Sequence, residues 1–457
     1  MSWLRLSEIA AMLGQPLVGE DAWVDSVSTD TRARAGNELF FALEGPRFDA
    51  HAVLEQSGAP DYAGLVVTRS VNHRAPQIIV ADTRVALGQF GAAWRKQFSG
   101  RVVGLTGSNG KTTVKEMIAS ILAVEHDVLY TQGNLNNEIG VPLTLLRLRP
   151  RHEIAVIEMG ANHPGEIGYL TQLVRPDVAL VNNAGPAHLE GFGDLDGVAR
   201  AKGEIYAGLG SDGVAVINAD DPYAAYWASL NENRRVVRFG ATSAAEVCLV
   251  DLDPLRLRLG DSEIELALQL EGRHNALNAT AAAAVAYALG VANATVREGL
   301  ARMTAFKGRL RAVRGLNGVR VIDDSYNANP ASAKAAVDVL AQRPGVRILV
   351  LGDMGELGIA AEALHGEVGR YAKARGLERF FGFGPLSKAA VDAFGAGGAH
   401  FAELDLLLDV LKSLASPEVV ALVKGSRSMR MDRVVEALKA RVNIDATDGN
   451  GGRENVA

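Results

Sequence analysis

One cysteine, Cys248, is all that the chain carries in 457 residues. No disulfide can close within it, so the fold must rest on its core, and a reducing cytosol is the expected setting. No stretch reaches the roughly 18 uninterrupted apolar residues that a membrane span needs. The alanine-rich run Ala276–Val291 is broken by Asn278 and Thr280 and reads as a buried helix. Met1–Glu8 has no basic segment ahead of an apolar one, so no secretory leader is expected. Positive charge is not in excess: 47 Lys and Arg face 53 Asp and Glu, a net charge of −6, which gives no reason to expect nucleic acid or an anionic membrane. Internal repeats are also missing. What remains is a long chain of ordinary globular composition, enough for about two to four domains.

The most informative stretch is Gly104-Leu105-Thr106-Gly107-Ser108-Asn109-Gly110-Lys111-Thr112-Thr113. Arg101–Val103 before it is apolar enough for a buried strand. Val114, Met117, Ile118, Ile121 and Leu122 after it have helical spacing. A strand, a glycine loop and Lys-Thr opening a helix form the context in which such a loop cradles phosphate. Gly107 and Gly110 allow the tight turn, the helix N-terminus adds positive potential, Lys111 can reach terminal phosphates and a Thr hydroxyl can hold Mg²⁺. The strict G-x-x-x-x-G-K-[ST] pattern fails at its first position, where Leu105 stands. The guanine-reading motif Asn-Lys-x-Asp is absent, which argues against a regulatory GTPase.

Around this loop the chain reads as three α/β domains. Residues 1–99 form a small mixed domain: a helix over Leu4–Leu13, strands at Ala22–Val24, Leu39–Leu43, Gly64–Val67 and Gln77–Val80, and a helix over Ala86–Phe98. Residues 100–312 alternate strand and helix, with strands at Arg101–Leu105, Ile154–Ile157, Val178–Val181 and Val214–Ile217, the pattern of a parallel sheet. Val236–Leu270 reads as strand-rich and antiparallel. Residues 313–444 alternate again, as a second, Rossmann-like open sheet: strands Val319–Ile322, Arg347–Leu351, Arg379–Phe383 and Val419–Val423, helices Ala331–Leu340, Glu362–Ala374, Leu404–Leu414 and Met431–Arg441. The tail 445–457 has no apolar cluster and is expected to be disordered.

Ligands of open parallel sheets sit beyond the carboxyl ends of the strands. Glu158, Asn182-Asn183 and Asn218–Asp221 each lie just past such an end. Glu158 could face a Mg²⁺ or be an exposed strand-end acid. His188, in the loop after the third strand, could complete a metal site or be solvated. Lys202 and Glu204 are unremarkable alone. Asn275 and Asn278 share a helix face and could cap the helix or bond an adenine edge. Arg309, at a domain boundary, could clamp phosphate or be a linker residue. Asp323–Pro330 follows the first strand of the third domain and could bind ligand or cap a helix.

In order and spacing these pieces resemble the Mur ligase family, cytoplasmic ATP-dependent amide ligases of peptidoglycan synthesis. The resemblance rests on Thr106–Thr113, Glu158-Met159-Gly160, His188, Lys202, His274-Asn275 with Asn278, Arg309 and Asp324, and it covers Trp23 to Ala440. Four segments resemble the branch that adds D-alanyl-D-alanine to UDP-N-acetylmuramoyl-tripeptide: Ser28–Arg32, Asn134–Pro142, Asp324–Pro330 and Leu351–Gly358. The Asp-Asn-Pro-Arg motif of the branch adding diaminopimelate or lysine is absent.

The resemblance implies roles. Gly107, Ser108, Asn109, Gly110, Lys111, Thr112 and Thr113 would hold the ATP phosphates. Thr112 or Thr113 with Glu158 would hold one Mg²⁺. His188 would ligate a second, supported by Lys202 as a carbamate. Asn275, Asn278, Arg309 and Asp324 would reach the nucleotide. Ser28, Thr29, Asp30, Thr31 and Arg32, with Gly45, Asp49 and His51, would belong to the UDP-sugar site. Asn136, Asn137, Asn327 and Asn329 would lie along bound substrate. The expected chemistry is γ-phosphoryl transfer to a carboxylate and attack of an amine on the acyl phosphate, with domain closure excluding water. A monomer acting on small molecules, without a membrane span, is expected.

Overall fold

The computed structural model describes residues 3–32, 36–45, 48–56 and 58–440. The tail 445–457 and the end of the helix expected over Met431–Arg441 lie outside the described residues. The chain divides into two compact units, the first ending at Thr304 and the second beginning at Ala305. The class is α/β throughout, with three main sheets of mostly parallel strands.

The largest sheet has nine strands, in the order Val128–Tyr130, Ile154–Glu158, Arg101–Thr106, Val178–Val181, Val214–Asn218, Arg235–Gly240, Val247–Leu252, Leu255–Leu259 and Ser262–Glu265. Val102, Val103, Leu105, Val156, Ile157, Leu180 and Val181 are buried, because helices cover both faces and strands so enclosed must be apolar on both sides. The stretch expected to be antiparallel is only partly so: Arg235–Gly240 and Val247–Leu252 extend the sheet in parallel, and the last two strands reverse. Arg101–Thr106 sits where the chain changes direction along the sheet, with Ile154–Glu158 on one side and Val178–Val181 on the other. That is the switch point at which a crevice opens beyond the strand ends. The helix Arg273–Leu289 packs on the sheet through Ala276, Ala279 and Ala281–Ala284, whose small side chains allow close approach.

The first unit also holds a five-stranded sheet, ordered Leu17–Val18, Gln77–Ile79, Gly64–Val67, Glu38–Phe41, Ser26–Ser28, the last four parallel. Leu6, Ile9, Leu39, Phe41, Val66, Leu87 and Phe90 form the core on one face. Two helix boundaries differ from expectation. Leu4–Arg5 pairs as a strand with Trp23–Val24, so the first helix starts at Leu6. The Asp82 carboxylate accepts from the N–H groups of Arg84 and Val85, so the helix expected over 86–98 is Thr83–Arg95. This helix fastens the small sheet to the large one: Trp94 Nε1 donates to the Leu148 carbonyl at 3.1 Å, and Arg95 donates to those of Val174 and Arg175.

In the second unit the order is Arg311–Arg314, Arg320–Asp324, Val419–Lys424, Val346–Gly352, Arg379–Phe383, Gly398–Phe401, all parallel but the first pairing. The division expected at 312/313 falls inside Arg311–Arg314, which pairs with Arg320–Asp324. Helices Pro330–Ala341, Ala361–Ala374 and Ser387–Phe394 cover one face. Leu404–Leu414 and Asp432–Leu438 cover the other. Among the described residues no helix is long and apolar enough to cross a membrane.

Candidate active site

The loop between Arg101–Thr106 and the helix Lys111–Leu122 is built as a cradle. Gly110 has φ +77°, and a Cβ there would lie 2.4 Å from Asn278 Oδ1 and 2.8 Å from Asn182 Nδ2. Only glycine meets both demands. The neighbouring strand ends hold the loop. Ser108 N donates to the Asn183 carbonyl at 3.0 Å and Asn109 N to Asn183 Oδ1 at 2.9 Å. Ser108 Oγ exchanges hydrogen bonds with the backbone of Gly185. Lys111 Nζ folds over the loop and donates to the Gly107 carbonyl at 2.7 Å. Gly110→Ala therefore forces both strain and overlap. We expect a stability loss of about 1–3 kcal/mol together with weakened ADP binding, measured by urea melts and calorimetry.

Asn182, marked in the sequence only by its place past a strand end, joins the site together. Its Nδ2 donates to the Asn109 carbonyl at 2.9 Å and to Asn278 Oδ1 at 3.2 Å. Asn278 Nδ2 donates to Asn275 Oδ1, and Asn275 Nδ2 to the Glu271 carbonyl. Neither asparagine caps its helix, since Gly272 holds that position. A polar pair next to a phosphate loop, past a strand of apolar residues, is the signal that marks Asn182-Asn183.

Glu158 lies opposite Leu105 in the parallel register, beside the loop. It is buried, its Oε1 accepts from Asn136 Nδ2 at 2.7 Å, and its Oε2 has no hydrogen-bond partner among the described residues. A buried carboxylate oxygen left unpaired is costly unless a cation or donor completes it. Asn137 Oδ1 accepts from Gly140 N at the start of the next helix.

His188 and Lys202 meet around Phe192. The His188 backbone is left-handed, with φ +56°, and its ring stands edge-on to Phe192 at 6.4 Å. Lys202 Nζ lies 5.3 Å over the same ring. Burial, reinforced by the nearby positive charge of Lys111, pushes the Lys202 amine from its ordinary 10.5 down to about 7, against the opposing pull of Glu166 and Glu204. Glu204 is engaged elsewhere, since its two oxygens accept from Gly165 N and Gly168 N at the start of a neighbouring helix. Lys111, Glu158, His188 and Lys202 thus belong to one sheet edge in the first unit.

A second edge lies on the small sheet, where Ser28–Arg32, Gly45 and Thr68 follow the ends of parallel strands. Arg32 pairs with Asp30 at 2.8 Å and holds its carboxyl down at about 2. A cleft there is lined by Glu44, Gly45, Thr68, Ala81, Asp82, Thr83 and Arg84. His51 is fully buried behind it, its Nδ1 against Asp49 Oδ1 at 2.7 Å and its Nε2 accepting from Thr68 N at 2.9 Å. It shapes the edge rather than lining it.

The second unit has its own strand-end cluster. Asp324 is buried and paired at 2.6 Å with Lys424, a residue that the sequence alone does not single out. A charged residue closing the apolar strand Val419–Val423 is the signal that could have found it. Burial pushes the Lys424 amine down and Asp324 opposes this. Lys424 Nζ also donates to the Asn327 carbonyl at 2.8 Å. The Arg309 guanidinium stacks 4.3 Å over Tyr326, with that of Arg427 at 5.5 Å. Asn329 Oδ1 accepts from Ser332 N and caps the helix Pro330–Ala341.

A glycine loop at the switch point of a parallel sheet, with a lysine at the helix start and a buried acid on the next strand, defines a phosphate-loop nucleotide-binding protein. The comparisons go further. The Mur ligase middle domain matches residues 105–286, and the Mur ligase glutamate ligase domain matches residues 308–427. UDP-N-acetylmuramoyl-tripeptide--D-alanyl-D-alanine ligase of Escherichia coli (strain K12) is 46% identical over 445 residues, covering 95% of this chain and 98% of that protein. A crystal structure of MurF from Acinetobacter baumannii superposes with a TM-score of 0.88 at 35% identity, covering 95% of this chain and 98% of that one. MurF from Thermotoga maritima, in complex with ADP, superposes at 0.80 with 28% identity, over 91% of this chain and 97% of that one. The chain belongs to the Mur ligase family and is an ATP-dependent ligase.

Proposed function

We infer that this chain joins D-alanyl-D-alanine to UDP-N-acetylmuramoyl-tripeptide, in the synthesis of peptidoglycan precursors. The observation that carries the reading is likeness along nearly the whole chain to ligases of that name, at 46% identity over 445 residues for the Escherichia coli protein. Residues 1–99 would bind the UDP-sugar, the rest of the first unit, to Thr304, the ATP, and the second unit, from Ala305, the dipeptide. The nucleotide substrate and the single cysteine favour the cytoplasm.

A carboxylate oxygen of the tripeptide attacks the γ-phosphorus of ATP, the bond to the β-phosphate oxygen breaks, and ADP leaves. The dipeptide amine then attacks the acyl carbon, the C–O bond to phosphate breaks, and the nitrogen gives up a proton. Both partners of the first step are anions. Lys111 and the N–H groups of Gly110–Thr113, in the loop that Gly107, Ser108 and Asn109 shape, would hold the phosphates where negative charge accumulates. Asn182, Asn275 and Asn278 would keep the loop in shape. Arg309 and Asp324 are assigned to the nucleotide, and Asn327 and Asn329 to substrate, on the family resemblance.

The residues fit divalent cations. The unpaired Oε2 of Glu158 has an anionic oxygen to give, and Thr112 or Thr113 would complete that set. His188 and Lys202, the latter as a carbamate, would hold a second ion; Mg²⁺ bound there would neutralise phosphate charge. An amine near neutrality can add to CO₂, which an ordinary lysine ammonium cannot.

The test is a turnover assay with UDP-N-acetylmuramoyl-tripeptide, ATP and D-alanyl-D-alanine, read by product mass and by nucleotide. Product at the mass of the joined pentapeptide, with ADP and phosphate, is expected. Release of AMP and pyrophosphate, or reaction only with a different amine such as glutamate, would overturn the reading.

A further inference from the structure

Lys115 lies four residues after Lys111 on the helix that the phosphate loop opens, and its side chain is completely buried. A buried ammonium is costly unless its protons are taken up. Here Nζ donates to the Thr131 carbonyl at 2.6 Å, lies 2.9 Å from Glu116 Oε1 and sits 5.7 Å over the Tyr130 ring. Thr131, also fully buried, is tied in turn to Glu158: its Oγ1 accepts from Glu158 N at 3.0 Å, and its N–H donates to the Val156 carbonyl. On the far side Asn136 Nδ2 holds Glu158 Oε1 at 2.7 Å, while Gly160 N donates to the Asn136 carbonyl at 2.8 Å. Glu158 is thus held at its backbone N–H by Thr131 and at Oε1 by Asn136, with Oε2 left over.

We propose that Lys115, acting through Thr131, is a positioning residue that fixes the Glu158 carboxylate relative to the phosphate loop, so that Oε2 is presented for a divalent cation. This deepens the reading of Glu158 given above and rests on it. The chain of contacts runs from the lysine to a backbone carbonyl, from the same residue's hydroxyl to a backbone N–H, and so to the acid. Lys111 and Lys115 share one helix, so the contacts of Lys115 connect the helix that the phosphate loop opens to the strand that carries Glu158.

The test uses the full chain and Mn²⁺ as the probe, followed by electron paramagnetic resonance in the presence of ADP, with ADP affinity measured separately in EDTA. Lys115→Met and Thr131→Val are compared with Glu158→Gln. Loss of Mn²⁺ affinity by about tenfold or more in both positioning variants, with metal-free ADP affinity within twofold of the parent, is the expected result. Were the lysine purely stabilising, Lys115→Met would lower the unfolding temperature and leave the metal-to-nucleotide ratio where it was, which overturns the proposal. If Lys115→Met fails to fold, Thr131→Val, which keeps volume and removes only the hydroxyl, decides alone. Unchanged Mn²⁺ binding in Thr131→Val while Glu158→Gln loses it overturns the positioning role. Unchanged Mn²⁺ binding in Glu158→Gln overturns instead the reading of Glu158 as a ligand.

Discussion

Lys111→Ala lowers kcat/KM by about 10³-fold or more and leaves the unfolding midpoint within about 2 °C of the parent. The asymmetry follows from where the side chain sits. The loop backbone is shaped by the hydrogen bonds of Ser108 and Asn109 to Asn183 and Gly185, and by the glycine at 110. Lys111 adds a bond from Nζ to the Gly107 carbonyl on top of that frame. Removing it deletes a positive charge beside the loop and leaves the frame's own hydrogen bonds in place. In phosphoryl transfer the protein contributes chiefly position and charge, so the loss falls on the rate. There is a second consequence. The charge of Lys111 helps to depress the Lys202 amine. In Lys111→Ala that amine should titrate above its present value of about 7, detectable by the pH dependence of its carbamylation with ¹³CO₂. Steady-state rates and thermal melts check the first claim. Turnover within tenfold of the parent would remove Lys111 from the centre of the site.

Features with a local physical cause are legible in the sequence. Gly107-Ser108-Asn109-Gly110-Lys111 is readable because a tight turn, a phosphate and a helix start all act within a few residues. The apolar runs Val178–Val181 and Val419–Val423 are readable because strands covered on both faces have to be apolar. The helix Thr83–Arg95 begins a few residues before its expected start because the capping carboxylate of Asp82 outweighs the apolar spacing that starts at Ala86. Leu4–Arg5 looks helical until its partner strand, Trp23–Val24, remote in sequence, is brought beside it. The same remoteness hides most of the groups behind the site. Asn136 is expected along the substrate, and its bond to Glu158 spans 22 positions. Lys424 and Asp324 are 100 positions apart, and nothing local announces their pairing. Lys115 reads as an ordinary helical lysine until Thr131 is brought beside it.

Lys202→Arg and Lys202→Met each lose about 10²–10³-fold in turnover, although arginine keeps the positive charge. The site as it stands places Lys202 near Lys111, two cations that repel, in a buried position where an ammonium is poorly solvated. That environment pushes the amine down to about 7, so near neutral pH it is far more often uncharged than an ordinary lysine with a pKa of 10.5. The neutral nitrogen can attack CO₂; it gains an N–C bond, loses a proton and becomes an anion able to support a cation beside His188. Arginine cannot follow this route because its guanidinium stays protonated. Activity should therefore fall as pH drops through about 7 in CO₂-depleted buffer and recover when bicarbonate is added. A carbamate ¹³C resonance should be present in the parent and absent from both variants. Stability follows pH in the same direction. In CO₂-free buffer the unfolded chain keeps the Lys202 proton up to about 10.5 and the folded chain only to about 7, so between these values the unfolded state binds more protons and the parent gains stability as pH rises. Lys202→Met removes the buried ammonium, so its unfolding temperature should exceed the parent's most clearly below pH 7, with the gap narrowing toward pH 10.5. A variant that is more stable and yet inactive would separate the cost of holding this lysine from its use. Full turnover in Lys202→Met would leave the buried amine without the role given to it here.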